Sequence, residues 1–67
     1  MGMTMMRNDY IKFNVYEAPK SPKEAGKFIR SFNYVEHAER FVKNSNNRGW
    51  NFFIKGVKED GTEVVFI

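Results

Sequence analysis

The residue types that most often perform catalysis are sparse in this sequence. It contains one histidine, His37, and no cysteine. A catalytic or metal-binding histidine needs a nucleophile or further ligands near it, and no known catalytic, zinc, calcium or phosphate-loop motif is present. The eight carboxylates are scattered and mostly adjacent to lysine or arginine, as on a solvated surface. We therefore expect no enzyme, no metal and no cofactor, and we interpret His37 as a surface residue.

Aromatic and basic residues are instead placed where they would bind a partner. Aromatic residues make up 16% of the chain, and the net charge is +3. This mild basicity favours acidic protein surfaces or nucleic acid, without the dense clustering of a committed DNA-binding domain. The predicted partner-binding residues are Tyr10, Lys12, Tyr16, Arg30, Phe53 and Lys55. A secondary basic segment contains Lys20, Lys23 and Lys27, for which a solvated loop is the default interpretation.

An amphipathic helix predicted from Asn33 to Asn44 organises the chain. Asn33 is expected to be the N-cap, with Glu36 completing a capping box. The apolar stripe consists of Tyr34, Val35, Ala38, Phe41 and Val42. A helix of this length is marginal in isolation, so the stripe is expected to pack against a sheet.

Three segments are predicted to form that sheet. Residues 10–17 alternate in polarity, which indicates a half-buried strand. This pattern directs Ile11, Phe13 and Val15 inward and Tyr10, Lys12, Asn14 and Tyr16 outward. Residues 50–58 and 63–67 flank Asp60-Gly61, a strong hairpin signal. With a two-residue turn, Val65 and Ile67 face inward with Trp50, Phe52 and Ile54; with Gly61 in a bulge, Val64 and Phe66 do.

Residues 27–32 are ambiguous between a fourth strand and a second helix. The strand is favoured, but Ser21, Pro22 and Glu24 would also start a helix well. The predicted fold is therefore α+β, a β-β-α-β-β two-layer sandwich with one helix on one face of an antiparallel sheet; the alternative is β-α-α-β-β.

Residues 1–9 are expected to be a flexible N-terminal tail, and residues 10–67 a single domain. The sequence has no bilayer-spanning apolar run and no signal-peptide pattern, so a cytoplasmic location without membrane contact is expected.

One helix covers only one face of such a sheet. The aromatic residues predicted to face outward are therefore exposed unless something else covers them. In one interpretation, a homodimer or the N-terminal tail covers them. In another, they dock a partner protein, with Tyr and Phe as anchors and Lys at the rim. In a third, nucleic-acid bases stack on Tyr10, Tyr16 or Phe53, while Lys12, Lys55 and Arg30 hold phosphates.

The layout also resembles that of short proteins from phages and mobile elements. The resemblance lies in Ile29-Arg-Ser-Phe32, Ala38-Glu-Arg-Phe41, Gly49-Trp50 and Asp60-Gly61, and covers about residues 10–67. Several anti-CRISPR and other host-takeover proteins look like this: they are small, single-domain and non-catalytic. The resemblance implies a non-catalytic protein-interaction module that binds and modulates or inhibits a host protein or nucleoprotein complex. The alternative function is a small basic nucleic-acid-binding domain using exposed sheet aromatics and lysines.

Overall fold

The computed structural model describes residues 10–24 and 26–66, which form four strands and one helix in the order β-β-α-β-β. The strands are β1 (Lys12–Glu17), β2 (Lys27–Phe32), β3 (Phe52–Val57) and β4 (Glu63–Val65), and the helix is α1 (Val35–Asn46). The predicted α+β class and element order are confirmed. The strand interpretation of residues 27–32 is right, and the second helix is wrong. The predictions for residues 1–9 and Ile67 lie outside the described residues.

The sheet is antiparallel throughout, with the strand order β2-β1-β3-β4. The two central strands carry the core, since Val15 of β1 lies opposite Ile54 of β3 and both side chains are fully buried. Helix α1 packs against this face through Val35, Ala38 and Val42. The face that contacts α1 is called the inner face below, and the other the outer face.

Helix α1 starts and ends later than predicted. Its N-cap is Tyr34, whose backbone is extended and whose carbonyl accepts from the Ala38 N–H at 3.2 Å; no side chain of the described residues caps it. The predicted Asn33 cap is wrong: β2 continues to Phe32, Asn33 lies in the bend that follows, and Tyr34 is the extended residue from which the helix starts. Tyr34 is 62% exposed and does not belong to the buried stripe.

The end of α1 is tied to the sheet by Asn46. Its amide nitrogen donates to the carbonyl of Phe52 at 3.2 Å, and its amide oxygen accepts from the Phe52 N–H at 2.9 Å. This reciprocal pair satisfies backbone groups at the start of β3, where the strand has just left the loop. It also fixes the distance between the helix end and β3.

The predicted alternation fails at the start of β1. Tyr10, predicted to face outward, lies on the inner face, with its ring 5.8 Å from that of Phe13 and 5.5 Å from that of Phe66. Ile11, predicted to face inward, is 52% exposed. The strand begins only at Lys12, so period two does not extend to these residues. Gly56 leaves room for the Tyr10 ring, since a Cβ there would lie 2.6 Å from it.

The β3–β4 hairpin adopts the bulged turn. Gly61 has φ +90, its N–H donates to the Lys58 carbonyl at 2.9 Å, and the Lys58 N–H donates to the Thr62 carbonyl at 2.9 Å. This register pairs Gly56 with Val64 and directs Val64 and Phe66 to the inner face. The two-residue turn is wrong. The bulged register places Glu63 and Val65 on the outer face.

Candidate functional site

The outer face carries three aromatic rings, a lysine and a carboxylate in mutual contact. Tyr16 of β1 lies opposite Phe53 of β3 and Phe28 of β2. Its ring stacks on Phe53 at 5.7 Å and 23°, and meets Phe28 edge-on at 5.8 Å. The Lys55 ammonium lies 4.9 Å from the centre of the Tyr16 ring. Together with Glu63, these residues form what we call the outer-face cluster.

A β-bulge brings Phe28 into this cluster. The pairing of β1 with β2 shifts between Val15, which faces Arg30, and Tyr16, which faces Phe28. Ile29 is the extra residue, and it packs against the core. Without the bulge, Phe28 would share a face with Arg30 and would lie on the helix side.

Glu63 is the polar centre of the cluster. Its Oε2 accepts a hydrogen bond from the Tyr16 hydroxyl at 2.8 Å and another from Nδ2 of Asn14 at 3.1 Å. Its Oε1 lies 3.8 Å from Nζ of Lys55. Asn14 is only 7% exposed, and its Oδ1 has no hydrogen-bond partner among the described residues. The carboxylate therefore joins β4 to β1, two strands away.

These contacts shift the pKa values of Glu63 and Tyr16 in the directions that preserve the hydrogen bond between them. The Tyr16 hydrogen bond, with smaller contributions from Asn14 and Lys55, lowers the pKa of Glu63 against the effect of desolvation. Desolvation, and then the hydrogen bond to Glu63, raise the pKa of Tyr16. Glu63 is therefore ionised and Tyr16 is protonated at neutral pH. A carboxyl held ionised in this way is the opposite of a general acid.

The edges of the cluster are open to solvent. Phe28 is 53% exposed. Val65 of β4, which pairs with Lys55 of β3, is 64% exposed. Tyr16 and Phe53 are half-buried between them. No helix among the described residues covers this face. The result is an apolar surface of Phe28, Tyr16, Phe53 and Val65 around a polar centre.

Four of the six predicted partner-binding residues lie on the outer face. The strand registers place Lys12, Tyr16, Phe53 and Lys55 there, as predicted; their role in binding stays a prediction. Tyr10 lies on the inner face, as described above.

The placement of Arg30 on the outer face is also wrong. Arg30 has the same orientation as Phe32, and Phe32 lies opposite the core residue Phe13. Its guanidinium carbon lies 4.8 Å from the ring centre of Phe32 and 5.5 Å from that of Phe41, on the helix side. The stacking and phosphate residues proposed from the sequence are therefore split between two faces.

The secondary basic segment is mixed in charge. Lys20, Lys23 and Lys27 are exposed, but the shallow depression of about 270 Å³ beside them is also lined by Glu17 and Glu24. The carboxylate of Glu24 accepts from the backbone N–H of Lys20 at 3.3 Å. The segment does not form a continuous basic surface.

Sequence reasoning missed Phe28, Glu63 and Val65. The outer-face positions of Glu63 and Val65 follow from the bulged hairpin register, which the sequence does not decide because Asp-Gly is compatible with both turns. Phe28 depends on a bulge for which the sequence has no glycine or proline signal in β2.

A second surface lies where α1 ends. An open depression of about 280 Å³ is lined by Phe41, Asn44, Ser45, Arg48 and Trp50; we call it the Trp50 groove. Trp50 stacks on Phe52 at 5.3 Å, and Phe52 stacks on Phe41 at 5.8 Å. A ladder of rings therefore runs from Trp50 through Phe52 and Phe41 to Arg30.

Comparison with known proteins finds no matching family model, curated protein or solved structure. Within residues 10–24 and 26–66, no helix is both long enough and apolar enough to cross a membrane. The same residues contain no group of three or more His, Cys, Asp or Glu side chains arranged to hold a metal ion.

Proposed function

We propose that this domain is a non-catalytic protein-interaction module that docks a partner protein on the outer-face cluster. The observation that carries the proposal is the exposure of Phe28 and Val65, 53% and 64%, on a sheet face that α1 does not cover. Aromatic anchors surrounded by charged side chains are typical of the energetic centres of protein interfaces. Following the layout resemblance, we propose that the partner belongs to a host complex that a phage or mobile-element protein would modulate or inhibit.

The cluster is preorganised for such a contact. Tyr16 is held by a ring on each side and by its hydrogen bond to Glu63. Lys55 is held by the ion pair with Glu63 and by the Tyr16 ring. A partner would therefore meet side chains that are already ordered, which reduces the entropy lost on binding.

Charge favours a protein over nucleic acid on this face. The ionised carboxylate of Glu63 lies 3.8 Å from Lys55 and offsets the lysine's attraction for phosphate. Tyr10 and Arg30, two of the residues that the nucleic-acid interpretation offers for stacking and for phosphate contact, lie on the other face. A partner protein can instead use the carboxylate as a hydrogen-bond acceptor and the rings as apolar contacts.

The test is site-specific photo-crosslinking in a lysate of the organism that carries the gene. A photoreactive phenylalanine analogue replaces Phe28 in one protein and Tyr34 in another, since both rings are more than half exposed on different surfaces. We expect a saturable crosslink from position 28 that excess wild-type protein removes and excess Phe28→Ala protein does not. Sedimentation of the purified protein shows whether a second copy is the occupant.

Equal competition by the wild-type and Phe28→Ala proteins would contradict the proposal. So would a crosslink that forms from position 34 and not from position 28. A stable dimer that is lost in the Phe28→Ala variant would replace the heterologous partner with a homodimer.

A further inference from the structure

The exposed indole in the Trp50 groove has the geometry of a stacking platform. Trp50 is 53% exposed, and Phe52 supports it from one side at 5.3 Å and 29°. It is the only tryptophan in the chain. Base stacking on such a supported ring is a main source of affinity for single-stranded nucleic acid, and it tolerates any base because every base has a π-face.

Backbone hydrogen bonds constrain the loop that carries this ring. The backbone N–H groups of Arg48 and Trp50 both donate to the carbonyl of Ser45, at 2.9 and 3.2 Å. Gly49, between them, has φ +104, a conformation that glycine adopts at little cost. Arg48 and Trp50 are therefore placed beside each other at the helix end before any ligand arrives.

The residues that line the groove include one arginine and no carboxylate. Between Arg40 and Lys58 the sequence contains basic residues and no aspartate or glutamate. Arg48 lines the groove, and Arg30 lies over Phe41 at the far end of the ring ladder. In contrast to Lys55 on the outer face, neither arginine has a carboxylate partner among the described residues.

We propose that the Trp50 groove binds single-stranded nucleic acid, with a base stacked on Trp50 and the backbone phosphates contacted by Arg48 and Arg30. The open depression of about 280 Å³ accommodates a planar ring, and an arginine lies at each end of the ring ladder. Asn44 and Ser45 supply polar groups at the wall for the edge of the base. An acidic peptide would satisfy the charges but leave the indole without a planar partner. This site is independent of the outer-face cluster.

The experiment uses the full chain and a ten-residue oligothymidine. Because Trp50 is the only tryptophan, its fluorescence reports contact with the groove directly, and we expect saturable quenching. If two phosphates are neutralised, raising salt from ~50 to ~200 mM weakens binding about sevenfold. In anisotropy titrations with labelled oligothymidine, Trp50→Ala and Arg48→Glu should each weaken binding about fivefold or more.

Matched variants separate this site from general basicity and from the outer face. Lys20→Glu makes the same charge change as Arg48→Glu at an exposed loop position and should have an effect at least threefold smaller. Phe28→Ala should leave the affinity unchanged. Circular dichroism melting confirms that each variant is folded.

Three results would overturn the proposal. The first is the absence of oligothymidine binding at ~50 mM salt. The second is a loss of oligothymidine affinity in Lys20→Glu or Phe28→Ala that is as large as the loss in Arg48→Glu. The third is equal quenching by polyglutamate, which would assign the groove to acidic protein segments. The first and third results, and a loss in Lys20→Glu, leave the expected crosslink from position 28 unchanged, so the two proposals can fail separately.

Discussion

Removing the Glu63 carboxylate should weaken the whole domain, although about a third of its side chain is exposed. Glu63→Ala deletes the hydrogen bonds from Tyr16 at 2.8 Å and Asn14 at 3.1 Å, each contributing about 1 kcal/mol net. It also leaves the buried Nδ2 of Asn14 without its acceptor, at a further cost of about 1 kcal/mol or more. The partly exposed ion pair with Lys55 adds little. The expected loss in unfolding free energy is about 3 kcal/mol, or about 12–24 °C in Tm for a domain of this size.

The assay is thermal and urea unfolding followed by circular dichroism at neutral pH. Glu59→Ala is the matched control, because Glu59 is an exposed carboxylate in the same hairpin and its removal changes the net charge equally. It should shift the unfolding free energy by about 0.5 kcal/mol or less. Equal shifts in Glu63→Ala and Glu59→Ala would refute the cross-sheet role of Glu63.

The same carboxylate should give a pH signature. Its pKa in the folded protein lies below the ordinary value of 4.5 because Tyr16 donates to the ionised form. A depressed pKa contributes stability that is complete above the unfolded value and is lost as pH falls through the folded value. The stability difference between wild type and Glu63→Gln should therefore be constant at pH 6–7 and shrink below about pH 4.5. The pKa of Asp60 is lowered chiefly by the Thr62 backbone N–H. Asp60 is present in both proteins, so its contribution cancels in the stability difference between them. A difference that is constant down to pH 3 would contradict this reasoning.

Three other substitutions test local packing. Gly56→Ala places a Cβ 2.6 Å from the Tyr10 ring and should cost about 1–3 kcal/mol in urea unfolding, but much less in a Tyr10→Ala background. Gly61→Ala has space for a methyl group but φ +90, so a loss of about 1–2 kcal/mol would come from the backbone alone; an unchanged Tm would contradict this. Asn46→Ala removes the two hydrogen bonds to the start of β3 and should cost about 1–3 kcal/mol, whereas the exposed Asn44→Ala should be close to neutral.

The elements themselves were predictable because their signals are local. The helical stripe, the alternation in β1 and the Asp-Gly turn each lie within a short window, and each predicted an element that is present. The errors occur where elements meet. Asn33 is a better capping residue than Tyr34, but the end of β2 decides where the chain turns. Tyr10 continues the alternation of β1 in sequence, but Gly56 on the neighbouring strand leaves the space that its ring occupies.

The candidate site was only half predictable because it depends on two registers. Alternation within single strands is enough to place four residues on the outer face: Lys12, Tyr16, Phe53 and Lys55. The placement of Glu63 on that face follows only from the bulged hairpin. Phe28 and Arg30 require the pairing of β2 with β1, which depends on core packing of Ile29 and Phe32 against residues far along the chain.

The stability of β4 and the chemistry of the outer face depend on the same carboxylate. β4 has three residues, all exposed, and a ladder this short is weak without side-chain contacts. Glu63 supplies such contacts by reaching Tyr16 and Asn14 of β1. Replacing it with lysine would make the outer face more basic but would remove the acceptor that fixes the edge strand. The need to hold β4 therefore keeps a negative charge among the exposed rings, which favours a protein partner there and leaves the Trp50 groove, which no carboxylate lines, as the better surface for phosphate.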